Sequence, residues 1–162
     1  MLMEIERKFL INYVPKNLSD YKYHTIEQGY LCREPVVRIR KEDDNYYLTY
    51  KGKGLMVREE YNLPLTKESY NHLLTKVDGN IISKTRYLIP YTCSYCINNV
   101  EKNVHLTIEL DVFYGKFEGL LLAEVEFESE ELANHFVMPE WFLEDVTFNK
   151  KYHNSNMAYS RV

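Results

Sequence analysis

The chain has 162 residues, 45% of them hydrophobic and 27% charged, the makeup of an ordinary globule with volume for one core. A formal net charge of −4 excludes wrapping of nucleic acid by bulk attraction to phosphate, so any anion site must be built locally. The longest apolar run, Leu120–Ala123, falls far short of the roughly 20 residues of a membrane span, and the charges that begin at Glu4 leave no signal-peptide core. The expectation is a single cytoplasmic domain over residues 1–162, binding neither membrane nor nucleic acid, with its oligomeric state open.

Taken in chain order, the first strand-like run is Glu4–Tyr13, where period-two alternation sets Glu4, Glu6 and Lys8 on one face and Ile5 and Phe9 on the other. Thr25–Leu31 follows, then Val36–Lys41, with Arg38 and Arg40 flanking Ile39. The turn Asp43–Asn45 leads into Tyr46–Lys51, where Thr49 and Lys51 flank Tyr50, and Arg58–Leu63 carries Arg58 and Glu60. Thr66–Val77 has the capping residue and the Tyr70, Leu73, Leu74, Val77 spacing of an amphipathic helix. Ile81–Pro90 brings Lys84 and Arg86, and a turn over Asn98–Asn103 leads to Val104–Phe113, with Glu109 and Asp111 about Leu110. Leu120–Glu128 sets Glu124 and Glu126 about Val125, and Ser129–Phe136 reads as a second helix capped by Ser129. Cys93 and Cys96 form a lone C-x-x-C with no second pair, so they read as ordinary strand or turn residues, and three cysteines make no disulfide framework.

The same charged pair at i, i+2 thus returns in most strands, backed by apolar neighbours. About eight strands with so few helices to cover them favour a closed antiparallel barrel, α+β but mainly β, with apolar residues outside and charge in the lumen. Seven acids (Glu4, Glu6, Glu60, Glu109, Asp111, Glu124, Glu126) balance seven bases (Lys8, Arg38, Arg40, Lys51, Arg58, Lys84, Arg86). Unpaired buried charge costs several kcal/mol, so such a lumen must be wet, internally paired or filled by ions. Two divalent cations would add about +4 and one triphosphate about −4 to −5, leaving the filled lumen again near neutral. Carboxylates suit hard Mg²⁺ or Mn²⁺, and Arg and Lys clamp phosphate oxygens. The five histidines are scattered and read as surface or packing residues, and no Ser-His-Asp or Cys-His set offers a nucleophile.

Glu4-Ile-Glu6-Arg-Lys8, an E-x-E-x-K in the first strand, resembles the hallmark of the CYTH superfamily, the triphosphate tunnel metalloenzymes. The resemblance continues in order through QGYL (28–31), VRIR (37–40), LTYKG (48–52), KTRY (84–87), ELDVF (109–113), AEVEFE (123–128) and DVTFNKKYHNSNMA (145–158). It implies an eight-stranded tunnel that binds a small-molecule triphosphate and a divalent metal, Mg²⁺ or Mn²⁺. It implies metal ligation by Glu4, Glu6, Asp111, Glu124 and Glu126, and phosphate binding by Lys8, Arg38, Arg40, Lys51, Arg58, Lys84 and Arg86, with Glu4, Glu6, Lys8 and Glu126 at the chemistry. Glu60 and Glu109 are further acidic candidates. Arg58 and Glu60 begin an R-x-E-x-E pattern that Asn62 breaks, and Lys151 and Tyr152 correspond to a basic residue and tyrosine near one tunnel mouth.

The activity so implied is a metal-dependent triphosphatase acting on inorganic triphosphate and, more weakly, on nucleoside triphosphates. Two other enzymes share the fold, a class IV adenylate cyclase and a thiamine triphosphatase. The cyclases carry H-F ahead of E-x-E-x-K, whereas Met1–Met3 alone precede Glu4 here, and the short chain offers no extra segment for a thiamine pocket. A catalytically idle polyphosphate or nucleotide sensor would need the basic clamps but not the full acidic set.

Overall fold

The computed structural model describes residues 2–160; Met1, Arg161 and Val162, the outermost positions of the expected 1–162 domain, lie outside the described residues. Strands β1 (Met3–Ile11), β2 (Lys22–Cys32), β3 (Val36–Glu42), β4 (Asn45–Lys51) and β5 (Val57–Pro64) come first, then helix α1 (Lys67–Leu74). Strands β6 (Asp78–Ile97), β7 (Val100–Phe113) and β8 (Leu121–Glu126), helix α2 (Glu130–His135), strand β9 (Phe142–Asp145) and helix α3 (Asn154–Ala158) complete the order. The sheet runs β5-β4-β3-β2-β6-β7-β8-β1, and β1 pairs back onto β5 through Met3–Ile5, closing eight antiparallel strands into a barrel. That closure is the one expected from the alternation. Strand β9 was not expected: it continues the sheet beside Phe9–Ile11, the part of β1 that β5 leaves unpaired.

Several boundaries differ from the sequence expectation for local reasons. Only Asn98 and Asn99 form the turn between β6 and β7, both at positive φ (51° and 59°), a pair that matches the twist of a two-residue hairpin. Val100–Asn103 therefore belongs to β7 rather than to a loop, and β6 and β7 pair in register out to Ile97 and Val100. Since β2 reaches only Leu88 of β6 and β8 only Ile108 of β7, the far part of this hairpin projects as a two-stranded ribbon. Cys93 and Cys96 lie on that ribbon three positions apart, hence on opposite faces, and are not a paired C-x-x-C. Helices α1 and α2 are shorter than expected by a turn or less, each starting where a cap is made: Thr66 accepts from Ser69 N–H, and Ser129 from Leu132 N–H.

The apolar side of each strand faces outward and is covered in two places. Phe9, Ile108, Leu110, Ala123 and Val125 pack beneath Ala133 of α2 and the aromatic group Phe136, Trp141 and Phe142. On the other flank Tyr70 of α1 is buried against Tyr46, with its hydroxyl donating to Glu27 Oε1 at 2.9 Å. Val77, just beyond α1, approaches β2 so closely that a Cβ on Gly29 would meet its Cγ1 at 2.7 Å. The glycine of QGYL is thus set by close packing.

The second core is inside. Leu10, Tyr30, Val36, Ile82, Phe113 and Leu122 occupy the same alternation face as the lumen charges, at one end of their strands, and Met157 and Ala158 of α3 pack into them. Among the described residues this apolar floor fills one end of the barrel, so the tunnel is blind there.

Candidate active site

Above the floor lies a cavity of about 830 Å³ lined by residues from β1 to β8 and by the start of α3. Register fixes which charges meet: Glu6 stands opposite Glu126, Lys8 opposite Glu124, and Glu124 opposite Glu109, so β1, β8 and β7 make a wall dominated by carboxylates. Across from it, Arg38 and Arg40 of β3, Lys51 of β4 and Arg58 of β5 make a wall dominated by cations. The two are joined at the edges by ion pairs. Lys51 Nζ reaches Glu4 at 2.7 Å and Glu60 at 3.0 Å; Lys8 Nζ reaches Glu124 Oε1 at 3.0 Å; Arg86 Nη2 reaches Glu124 Oε2 at 2.6 Å and Arg86 also pairs with Glu109.

The carboxylates divide by partner. Burial alone would raise Glu124, but Lys8 and Arg86 hold it well below the ordinary range, and Lys51 and Asn62 likewise bring Glu60 down to about 2 against burial. The Glu6 carboxylate has no hydrogen bond or ion pair among the described residues, and burial together with the Glu124 charge pushes it up to about 7. Burial and the charges of Glu109 and Glu60 raise Glu126 as well. The cations divide in the same way. Arg86 is wholly committed to carboxylates, while Arg38 and Arg58 have none within 4 Å among the described residues and each leaves its Nε without a partner.

Not every expected residue reaches the cavity. Lys84 and Asp111 are fully buried behind Arg86, paired with each other, and absent from the lining. Asp111 Oδ1 accepts from Arg86 Nε at 2.7 Å, so this carboxylate, expected as a metal ligand, is spent on holding an arginine. Burial pulls Lys84 down to about 8 in spite of Asp111. Lys151 is exposed over the Tyr152 ring, the ring packs into the floor, and only the Tyr152 carbonyl takes part, accepting from Lys8 Nζ at 3.3 Å. The next three residues, His153, Asn154 and Ser155, line the cavity instead. His153 donates from Nε2 to the Thr147 carbonyl at 2.8 Å, and Asn154 is buried with its Oδ1 unpartnered.

A CYTH-domain profile matches residues 2–156. The chain belongs to the CYTH family. This CYTH domain is 34% identical to the inorganic triphosphatase of Nitrosomonas europaea, over 98% of this chain and 99% of that one. It is 31% identical to the inorganic triphosphatase of Acetivibrio thermocellus, over 96% and 92%. Among solved structures, a crystal structure of an inorganic triphosphatase superposes with a TM-score of 0.67 at 33% identity, covering 99% of this chain and 97% of that chain.

The family implies divalent-metal dependence, and the donor set can be tested against it. Among the described residues no three His, Cys, Asp or Glu side chains converge on one point as finished ligands. Yet Glu6 and Glu126, facing each other across β1 and β8 without a cationic partner and beside Glu109, are an oxygen-only, charge-deficient set of the kind a hard cation satisfies. The donors fit. The uncharged lining residues Tyr30, Tyr47 and His153 escaped sequence reasoning because only charge marked the lumen face, and Asn62 entered it only as the break in R-x-E-x-E. Thr49 already stood two places from Lys51, and Tyr30 lay within QGYL.

Proposed function

We propose that this CYTH protein is a metal-dependent inorganic triphosphatase. The observation that carries this reading is the separation of the two unpaired sets: Glu6 and Glu126 on one wall, Arg38 and Arg58 on the other, facing one blind chamber. A phosphate chain entering the mouth meets cations on β3, β4 and β5. Arg38, Arg40, Arg58 and Lys51 bind its oxygens, Arg bidentately where geometry permits. Glu6 and Glu126, with Glu4 and Glu109 alongside, would hold Mg²⁺ or Mn²⁺. When bound, that cation supplies charge neutralisation of the chain and polarisation of the attacking water.

The chain's own residues supply the rest. Lys8 and Arg86 clamp the Glu124 carboxylate between them, and Lys84 and Asp111, stacked behind, fix Arg86, so that the acidic wall keeps its shape as the ligand charge arrives. Water oxygen bonds to the terminal phosphorus and the bridging P–O bond breaks. Phosphate and pyrophosphate are the products, and the cations of the basic wall stabilise the negative charge left on pyrophosphate. No protein nucleophile is needed.

The test is phosphate release from inorganic triphosphate, ATP, thiamine triphosphate and long-chain polyphosphate, each with Mg²⁺ and with Mn²⁺. Inorganic triphosphate should be hydrolysed fastest and only with metal. No phosphate from triphosphate with either metal would overturn the reading.

A further inference from the structure

Arg38, Thr49 and Asn62 stand directly opposite one another on β3, β4 and β5, so the ladder itself places them in one row across the basic wall. Arg38 Nη2 donates to Thr49 Oγ1 at 3.1 Å, and Thr49 spends its single hydroxyl hydrogen on Asn62 Oδ1 at 2.6 Å. Asn62 Nδ2 then donates to Glu60 Oε1 at 2.8 Å, and Glu60 Oε2 accepts from Lys51. Every bond from Arg38 to Glu60 runs in the same donor direction, which fixes the Thr49 hydroxyl with its lone pairs toward Arg38.

Asparagine is the side chain of this length that offers both an acceptor to Thr49 and a donor to Glu60. Aspartate would accept from Thr49 but would have nothing to give Glu60, and would stand beside it as a second anion. The carboxylate of an R-x-E-x-E pattern would bring the same charge into Arg38's row. With Asn62 there, Arg38 is more than nine-tenths buried, without a carboxylate within 4 Å among the described residues, and with Nε unpartnered.

We propose that Asn62, acting through Thr49, is a positioning residue that holds Arg38 uncompensated and aimed at the incoming phosphate chain. In this role Asn62 sets the hydroxyl that sets the arginine, and it keeps the Glu60 carboxylate turned toward Lys51. The inference rests on triphosphate being the ligand of the cavity.

The test is a KM-against-kcat split in Asn62→Ala and Thr49→Val. Each should raise the KM for triphosphate at saturating Mg²⁺ about tenfold, the scale of one hydrogen bond to a charged group, with kcat within about twofold. The dissociation constant of a bis-methylene triphosphate, measured by calorimetry, should rise by the same factor. Thr49→Ser should restore both values, Asn62→Asp should not, and the double variant should be no worse than Thr49→Val alone, since both act on one row. Asn62 is exposed to the cavity, so its substitution does not endanger folding even if that of buried Thr49 does. Unchanged KM and analogue affinity in Asn62→Ala, or fully additive losses in the double variant, would overturn the inference. If the wild type releases no phosphate from triphosphate, the proposed function fails by itself, and the analogue calorimetry still decides the role of the row.

Discussion

Glu6 and Glu124 sit on neighbouring strands of the same wall and differ in what surrounds them. Glu124 carries two cations and Glu6 none, so their substitution should separate chemistry from stability. Glu6→Gln removes a half-buried carboxyl that has no cationic partner; turnover should vanish while the thermal midpoint holds or rises. Glu124→Gln strips Lys8 and Arg86 of their shared partner and should cost about 3 kcal/mol or more in chemical denaturation. Equal midpoints in the two variants would contradict the assignment. Asp145 shows a third environment: burial would raise its carboxyl, but bonds from Thr147 and from Arg7, the latter at 2.6 Å, hold it below its ordinary value of 3.8. A depressed pKa means the unfolded chain takes the proton first. The stabilisation is therefore full above about pH 4 and is lost as pH falls through the folded value. The gap in melting temperature between wild type and Asp145→Asn should be constant from pH 7 to 5 and close as pH drops below 4. A gap that does not shrink at all as pH falls below 4 would assign Asp145 another role.

At the scale of elements, α3 decides the shape of the cavity although it is five residues long. It docks on the start of β6, where Gly79 has φ 66° and a Cβ would lie 2.3 Å from the Ala158 carbonyl oxygen. Gly79→Ala should therefore lose about 1–3 kcal/mol from backbone strain plus the clash. Gly115→Ala is the control, since φ there is 64° but nothing lies within 4 Å. The excess loss in Gly79→Ala measures α3 docking, and it should bring a higher KM as the floor loosens; equal losses would mean α3 does not bear on that glycine. Helix α3 and strand β9 were also the elements least legible in the sequence. Five and four residues are too few to show a period, and their apolar residues look like any loop's. The eight barrel strands were legible because all but the one at Thr25–Leu31 repeat the same charged alternation. Long-range pairing was not: nothing local in ELDVF says that Asp111 faces Lys84 and Arg86 rather than the cavity.

At the scale of the molecule, lumen charge was readable as a set of acids and bases, but its division into two walls depends on strand order, which places β1, β8 and β7 side by side and β3, β4 and β5 opposite. That division predicts coupled binding. Metal alone leaves the arginines uncompensated, triphosphate alone leaves Glu6 and Glu126 so, and both together restore near neutrality. Either ligand at a hundredfold excess over its dissociation constant stabilises the fold by about 2.7 kcal/mol, and the two together should exceed the sum. Thermal melts with Ca²⁺, with triphosphate and with both, at low and high salt, read this directly; additive shifts that disappear in salt would describe an open, screened surface instead. The apolar floor made by Leu122, Met157 and their neighbours adds a consequence for traffic. With a single doorway, pyrophosphate must leave by the route the next substrate uses, and a departing product and an arriving chain exclude each other. Added pyrophosphate should then inhibit competitively, raising KM in proportion to its concentration while leaving the maximal rate untouched, and a KM that does not respond to pyrophosphate would mean that product and substrate do not share the chamber.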